Sequence, residues 1–280
     1  MTAMDGTLRD PSWTTADPVL EVRGLSTHFE LRQGTLKAVE GISFTVRRGK
    51  TLCMVGESGS VNRVAARSIL QIVPCPGKIV SGLLVLHRRR GGKTDLAARD
   101  PRSAEMRAVR GARISMIFQE PMSSLSPVHK IGFQIEESLI LHTDLDKPAR
   151  RKRVVELLRL VEIPEPQAAA DRYPFEYSGG MRQRAMIAMA LACEPDVLIA
   201  DAPTTALDVT TQAEILDLIA RLQAEHGMGV MFITHDMGVA AEIADEVCVM
   251  FRGKVVEQGE VAAVFHAPQH TYTRMLIGTA

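Results

Sequence analysis

Residues 51–63 read TLCMVGESGSVNR. Thr51 to Val55 is an apolar run with the length of a buried strand, and a loop rich in glycine and serine follows it. From Val64 onward, apolar residues return at helical spacing. A strand, a glycine loop and a helix in this order direct backbone N–H groups toward one point, which is a phosphate-binding geometry.

Three later apolar runs predict further strands of the same sheet. They are Ile114 to Phe118, Val197 to Ala200 and Val230 to Thr234, and the last two lead directly to Asp201 and His235. Helical patterns separate the runs. The sequence therefore predicts an α/β fold of the P-loop NTPase type, with a parallel sheet core and ligands at the carboxyl edge of its strands.

The remaining patterns predict two smaller parts around this core. Strand-like segments between Pro18 and Val46 indicate an antiparallel β subdomain, and helical patterns over approximately 121–190 indicate a helical subdomain. Residues 1–17 are rich in Thr, Asp and Ser and are expected to form a flexible tail. Residues 18–280 are then expected to form a single domain.

Composition excludes several classes of protein. The chain has 280 residues, with 33 Lys and Arg against 33 Asp and Glu, so its formal net charge is zero and no nucleic-acid partner is expected. The four cysteines lie far apart and are interpreted as buried thiols in a reducing compartment. The sequence lacks an apolar run of the ~18 residues that cross a bilayer, so a soluble, cytoplasmic chain is expected.

The loop after Val55 is the first candidate site. A phosphate loop of the form G-x-x-x-x-G-K-[ST] uses its backbone N–H groups and its Lys to hold phosphates, and its hydroxyl to ligate Mg²⁺. The matching positions here are Gly56, Glu57, Ser58, Gly59, Ser60, Val61, Asn62 and Arg63. The last three stand where Gly, Lys and Ser or Thr are needed.

Four more motifs follow in order along the chain. They are Phe118-Gln119, the run YSGGMRQR at 177–184, Ala206-Leu207-Asp208 and Thr234-His235-Asp236, and Leu198 to Asp201 lies between the second and the third. They resemble the Q-loop, signature, D-loop, switch histidine and Walker B strand of ATP-binding cassette (ABC) proteins. The resemblance covers residues 18 to about 276. It implies that residues 18–280 are a single ABC nucleotide-binding domain, with ATP and Mg²⁺ as cofactors.

Three segments narrow the resemblance. The runs IFQEPMSSLSP at 117–127, PTTALDVT at 203–210 and HTYT at 270–273 are similar to the oligopeptide, dipeptide and nickel importer ATPases of bacteria. That group implies a second ABC ATPase subunit, membrane permease subunits and, indirectly, an extracytoplasmic solute-binding protein as partners. It also implies a peripheral location on the cytoplasmic face of the membrane. The chain stops before the cysteine-rich tail of many such ATPases, so no iron–sulfur cluster is expected.

The same resemblance assigns expected roles to single residues. In this family two cassettes face head to tail, so Ser178, Gly179 and Gly180 of one chain would meet the γ-phosphate of ATP held by the other. Asp201 and Gln119 would hold or sense Mg²⁺, His235 would bind the γ-phosphate, and Asp208 would lie in the D-loop. The position after Asp201 is a catalytic Glu in the family, and here it is Ala202.

The departures predict a degenerate cassette. Asn62 lacks the charge of Lys, Arg63 lacks the metal-binding hydroxyl, and Ala202 has no acceptor to orient water. Arg63 itself is interpreted either as a surface charge on the helix or as a substitute phosphate ligand. The signature differs from the family only at Tyr177. The leading hypothesis is an importer ATPase subunit that completes the site of a competent partner. The open alternatives are a slow but competent ATPase that uses Arg63, a non-transport ABC protein, a truncated half of a two-cassette chain, and a nonfunctional product.

Overall fold

The computed structural model describes residues 17–56, 60–87, 92–205 and 207–278, without the side chains of residues 60, 121 and 123. The expected tail, apart from Asp17, lies outside these ranges. The strands within them are β1 (Pro18–Leu31), β2 (Gly34–Arg47), β3 (Thr51–Gly56), β4 (Gly77–His87), β5 (Lys93–Asp95), β6 (Ile114–Ile117), β7 (Val197–Asp201), β8 (Gly229–Thr234), β9 (Glu246–Phe251) and β10 (Lys254–Glu260).

Helices account for most of the remaining described chain. They are α1 (Ser60–Ile69), α2 (Ala104–Val109), α3 (Pro121–Ser124), α4 (Ile131–His142), α5 (Lys147–Leu160), α6 (Pro166–Ala169), α7 (Gly179–Leu191), α8 (Val209–His226), α9 (Met237–Ile243), α10 (Val261–His266) and α11 (Thr271–Gly278), with a 3-10 turn at Pro174–Glu176. Every assigned element between α3 and α7 is helical. The division at 121–190 into a subdomain stays a prediction.

The central sheet has six strands in the order β10-β9-β3-β8-β7-β6. All neighbours in it are parallel except β10 and β9, which pair antiparallel as a hairpin. Every residue of β3, β7 and β8 is buried, as expected for strands covered on both faces. The predicted α/β core is confirmed, and the carboxyl ends of β3, β8 and β7 lie at one edge.

The second sheet is antiparallel, with strand order β2-β1-β4-β5. The sequence predicts separate strand-like segments at Leu20 to Val22 and at Thr27 to Leu31, but both belong to the single strand β1. A register shift between Val22 and Leu25 accommodates Gly24, whose φ is +60°. The sequence did not predict β4, because only two of its eleven side chains are buried and its apolar residues do not follow one clear period. The predicted antiparallel subdomain is confirmed.

Two cysteines are fully buried in the core, and a third is not. Burial raises the pKa of the Cys248 thiol to about 12 and also raises that of Cys53. Cys75 is exposed, so the expectation of a buried thiol is wrong at that position. None of the helices in the described ranges is long and apolar enough to span a membrane.

Glu257 joins β10 to the chain before α11 and yields a pH-dependent prediction. Burial acts to raise its pKa, but bonds from the backbone N–H groups of Gln269 (2.7 Å) and His270 (2.9 Å) outweigh burial, so its pKa lies below 4.5. Its stabilisation is complete above pH 4.5 and is lost as the pH falls through the lower folded-state pKa. We expect Glu257→Gln to reduce the free energy of unfolding by about 1–3 kcal/mol at pH 7.

Urea denaturation of native chain and variant at pH 7 and pH 3.5 tests this. The difference between the two proteins should shrink at the lower pH, because there the native carboxyl group also begins to lose its charge. Glu225→Gln, on the exposed face of α8, is the control and should have little effect at either pH. A Glu257→Gln effect that grows on acidification would contradict the assignment.

Candidate functional site

The candidate site lies where β3 and β7 end. Gly56 closes β3 beside Met250 of β9, and a Cβ atom added at Gly56 would overlap the carbonyl oxygen of Met250. Only glycine fits this close approach of two strands. The chain then enters the loop predicted to bind phosphate, and Asp201 closes β7 two strands away.

Only part of the predicted loop is within the described residues. Glu57, Ser58 and Gly59 lie outside them, and Ser60 begins α1. Val61 is half-buried and lines a cavity of 470 Å³ together with Phe29 and Arg252. The β-branched side chain therefore faces the antiparallel sheet and the β9–β10 hairpin.

Asn62 lies at the position of the family lysine and is only 1% exposed. Its Nδ2 atom is buried and has no hydrogen-bond partner among the residues that the structure describes. A buried amide donor without a partner costs about 1–3 kcal/mol. The side chain is thus neutral, enclosed and unsatisfied, and it supplies none of the charge that a lysine ammonium brings to phosphate.

Arg63 joins two of the predicted site residues. Its Nε donates to Asp201 Oδ2 at 2.8 Å, and its Nη2 donates to Gln119 Oε1. Nε and Nη2 form one edge of the planar guanidinium, so a single side chain bridges the end of β7 and the segment after β6. The Arg63 side chain is 31% exposed, whereas that of Asp201 is 2% exposed.

A second arginine also acts on Asp201. Burial raises the pKa of the Asp201 carboxyl above its ordinary value, while the positive charges of Arg63 and Arg67 act to lower it. Arg67 was not among the predicted site residues. Its spacing of four residues from Arg63 on a predicted helix puts both cations on one face, and that was the available signal.

These contacts test whether a divalent cation fits at this edge. The oxygens expected to hold it are those of Asp201 and Gln119, and both residues already accept hydrogen bonds from Arg63. A metal ion at this point would meet a fixed positive charge within a few ångströms. As they stand, the residues do not fit Mg²⁺, and we derive no chemical step through it.

Ala202 and His235 complete the predicted catalytic positions. Ala202 follows β7 with a φ of +46°, and its N–H donates to the Ile233 carbonyl at 2.9 Å. Its methyl group offers no acceptor to a water molecule. His235 is exposed in the turn between β8 and α9, where the N-cap Asp236 accepts from the N–H groups of Gly238 and Val239.

The predicted signature lies at the start of a long helix. Ser178 is the N-cap of α7 and its Oγ accepts from Met181 N at 3.3 Å. Ser178 and Gly179 are exposed, and a Cβ atom built on Gly179 would contact nothing within 4 Å. Unbonded N–H groups at a helix N-terminus attract an anion. This turn therefore presents an anion-binding geometry at the surface of the chain.

Tyr177, the departure from the family signature, points into the protein. Its side chain is 2% exposed and its hydroxyl donates to the Ala169 carbonyl at 3.0 Å. Burial raises its pKa to about 12. The tyrosine thus anchors the turn before Ser178 and leaves the exposed serine and glycine unchanged.

Asp208 lies close to the signature. It is the N-cap of α8, and its carboxylate accepts from Thr211 N at 2.9 Å and from Thr211 Oγ1 at 2.8 Å. Those two hydrogen bonds lower the pKa of Asp208. A Cβ on Gly180 would lie 3.0 Å from Thr211 Cγ2, so the starts of α7 and α8 adjoin. The fold therefore brings Ser178, Gly179, Gly180 and Asp208 to one surface.

Comparison with known families and curated proteins gives a consistent result. A family model described as ABC transporter matches residues 39–205. The chain is 52% identical over 259 residues to the glutathione import ATP-binding protein GsiA of Pectobacterium atrosepticum, covering 92% of this chain and 41% of that protein. It is 51% identical over 262 residues to GsiA of Escherichia coli K12, covering 94% and 42%. The chain thus spans well under half the length of these relatives.

Solved structures agree. The dimeric structure of MJ0796, described as a bacterial ABC transporter cassette, superimposes with a TM-score of 0.74 at 25% identity, covering 86% of this chain and 98% of that one. The cbiO1 protein of Clostridium perfringens, described as part of the ABC transporter complex cbiONQ, gives a TM-score of 0.72 at 27% identity, covering 90% and 92%.

Proposed function

This chain belongs to the ABC transporter family, and from that premise we propose that it is an importer subunit that completes the ATP site of a partner cassette. The solute would be a small peptide, since the similar GsiA proteins are described as glutathione import ATP-binding proteins. The same description favours transport over a non-transport role. In this role the chain would bind permease subunits at the cytoplasmic face of the membrane. An extracytoplasmic solute-binding protein would act with them indirectly.

One observation carries the proposal: the chain's two half-sites differ in what they can still do. The signature turn is capped by Ser178 and exposed, and Gly179 has open space around it. In the chain's own nucleotide half-site, Arg63 bridges Asp201 and Gln119, and the buried Nδ2 atom of Asn62 has no hydrogen-bond partner in the described part of the chain. The first half-site can meet a phosphate on another chain, whereas the second lacks the groups for hydrolysis.

A slow but competent ATPase is the second candidate function. It requires Arg63 to replace the lysine that contacts phosphate. Two donors of Arg63 are used by Asp201 and Gln119, which favours the non-hydrolysing assignment. Ala202 favours it as well, because loss of a group that orients water lowers rates by ~10²-fold or more.

Complementation between two variants tests the proposal. The loop-restored chain carries Val61→Gly, Asn62→Lys, Arg63→Ser and Ala202→Glu. Adding Gly179→Asp to it spoils its signature, because a carboxylate there repels phosphate, while the open space and the helix N-terminus tolerate the side chain. Alone, this variant with five substitutions should hydrolyse no ATP. Mixing it with native chain should restore phosphate release, since the native signature completes the restored loop.

The control is a native chain that carries only Gly179→Asp. It should fail to restore hydrolysis, whereas native chain with Gly179→Ala should largely retain the effect. Suppose that the loop-restored chain with intact Gly179 hydrolyses ATP, but that its Gly179→Asp derivative stays inactive when mixed with native chain. That result would overturn the proposed role of the signature. A loop-restored chain that is inactive in every mixture would also count against it.

A further inference from the structure

The bridge made by Arg63 has a specific chemical consequence. We propose that the Arg63 guanidinium is a resident cation that replaces the divalent metal of this half-site, so the chain's own half-site holds no Mg²⁺. The inference rests on the proposed function only in treating the carboxyl edge of β3 and β7 as a nucleotide half-site. It concerns how that half-site differs chemically from that of a competent partner.

The first argument is occupancy by hydrogen bonds. Asp201 Oδ2 accepts from Arg63 Nε at 2.8 Å and Gln119 Oε1 accepts from Nη2 of the same guanidinium. One carboxylate oxygen and one amide oxygen are ligands that Mg²⁺ prefers. The guanidinium thus takes up one of the two Asp201 carboxylate oxygens and the Gln119 amide oxygen, in a fixed fork geometry.

The second argument is charge. Asp201 is the acidic partner of Arg63, and its side chain is 2% exposed. Arg67 adds a second positive charge that acts on the same carboxyl group. A divalent cation would have to displace Arg63 from Asp201 and then lie near both arginines, which opposes its binding electrostatically.

The third argument concerns the atoms that remain unused. Asp201 Oδ1 is buried and finds no hydrogen-bond partner within the described ranges. The Nη1 atom of Arg63 has no hydrogen bond to any described residue, and the side chain is partly exposed. The guanidinium therefore keeps donors for an anionic ligand such as a phosphate group, so a nucleotide bound here would be held without metal.

Binding of Mn²⁺ alone, followed by electron paramagnetic resonance, tests the replacement. Native chain should show no saturable Mn²⁺ site that depends on Asp201. Arg63→Ser removes the guanidinium and adds a hydroxyl oxygen to the ligand set, so Mn²⁺ affinity should rise roughly tenfold or more. Adding Asp201→Asn to Arg63→Ser should abolish the gain. Arg67→Ser is the matched control and should raise affinity much less.

A thermal measurement guards against misfolding of the variant. With EDTA, Arg63→Ser should melt below the native chain, and millimolar Mg²⁺ should raise its melting temperature while leaving the native value unchanged. Mn²⁺ binding by the native chain that is lost in Asp201→Asn would overturn the inference, as would an Arg63→Ser chain that gains no metal site. Both readouts use this chain alone, so they are independent of the complementation result.

Discussion

Restoring four positions at once, with Val61→Gly, Asn62→Lys, Arg63→Ser and Ala202→Glu, should raise ATP turnover of the purified chain by about 100-fold or more. The lysine would regain a charge-assisted contact to phosphate, the serine would free Asp201 and Gln119 from the guanidinium, and the glutamate would orient water. The chain's own signature is exposed, so two restored chains can complete each other's sites. Release of inorganic phosphate under saturating ATP and Mg²⁺ is the measurement.

Partial restorations serve as the controls. Ala202→Glu alone should remain at the native level, because Asn62 and Arg63 still disable the loop. The three loop substitutions alone should gain binding of a fluorescent ATP analogue but little turnover. Ala202 already has a φ of +46°, so glutamate adds no new backbone strain there. Native turnover equal to that of the restored chain would refute the degenerate assignment.

Truncating Tyr177 should produce the largest loss of stability expected here. Tyr177→Ala removes a side chain that is 2% exposed and leaves the Ala169 carbonyl without its hydroxyl donor. Large-to-small changes of buried aromatic residues cost about 3–5 kcal/mol in free energy of unfolding. The substitution lies next to Ser178. It should therefore also reduce the ability of the chain to restore ATP hydrolysis when mixed with the loop-restored Gly179→Asp variant.

Two further variants separate the contribution of the Tyr177 hydroxyl from that of its buried ring. Tyr177→Phe keeps the ring and should cost about 1–2 kcal/mol, the value of the lost hydrogen bond. Phe175 lies two residues away and is 64% exposed, so Phe175→Ala should change stability by less than about 0.5 kcal/mol. Urea denaturation at pH 7 provides the comparison. Equal effects of Tyr177→Ala and Phe175→Ala would contradict the packing of Tyr177.

Local rules account for the predictions that the structure confirms. Apolar runs of strand length predicted β3, β7 and β8, because strands buried on both faces need continuous apolar sequence. Asp146 followed by Lys147-Pro148 is a local helix-start pattern, and Asp146 is the N-cap of α5, with its carboxylate accepting from Ala149 N at 2.9 Å. β4 escaped prediction because it is only partly covered, and partial cover leaves a weak apolar pattern.

The order of the motifs along the chain was enough to predict the α/β core and the family. The sequence itself shows that Asn62, Arg63 and Ala202 stand where the family has its lysine, hydroxyl and glutamate. Sequence reasoning left the role of Arg63 open between a surface charge and a substitute phosphate ligand. Its partners stand 138 and 56 residues away in the chain, so no local pattern contains them. Only the pairing of parallel strands brings Asp201 and Gln119 to α1, and a buried carboxylate then selects the nearest cation. That long-range contact, not the motif, decides which group binds Asp201 and Gln119.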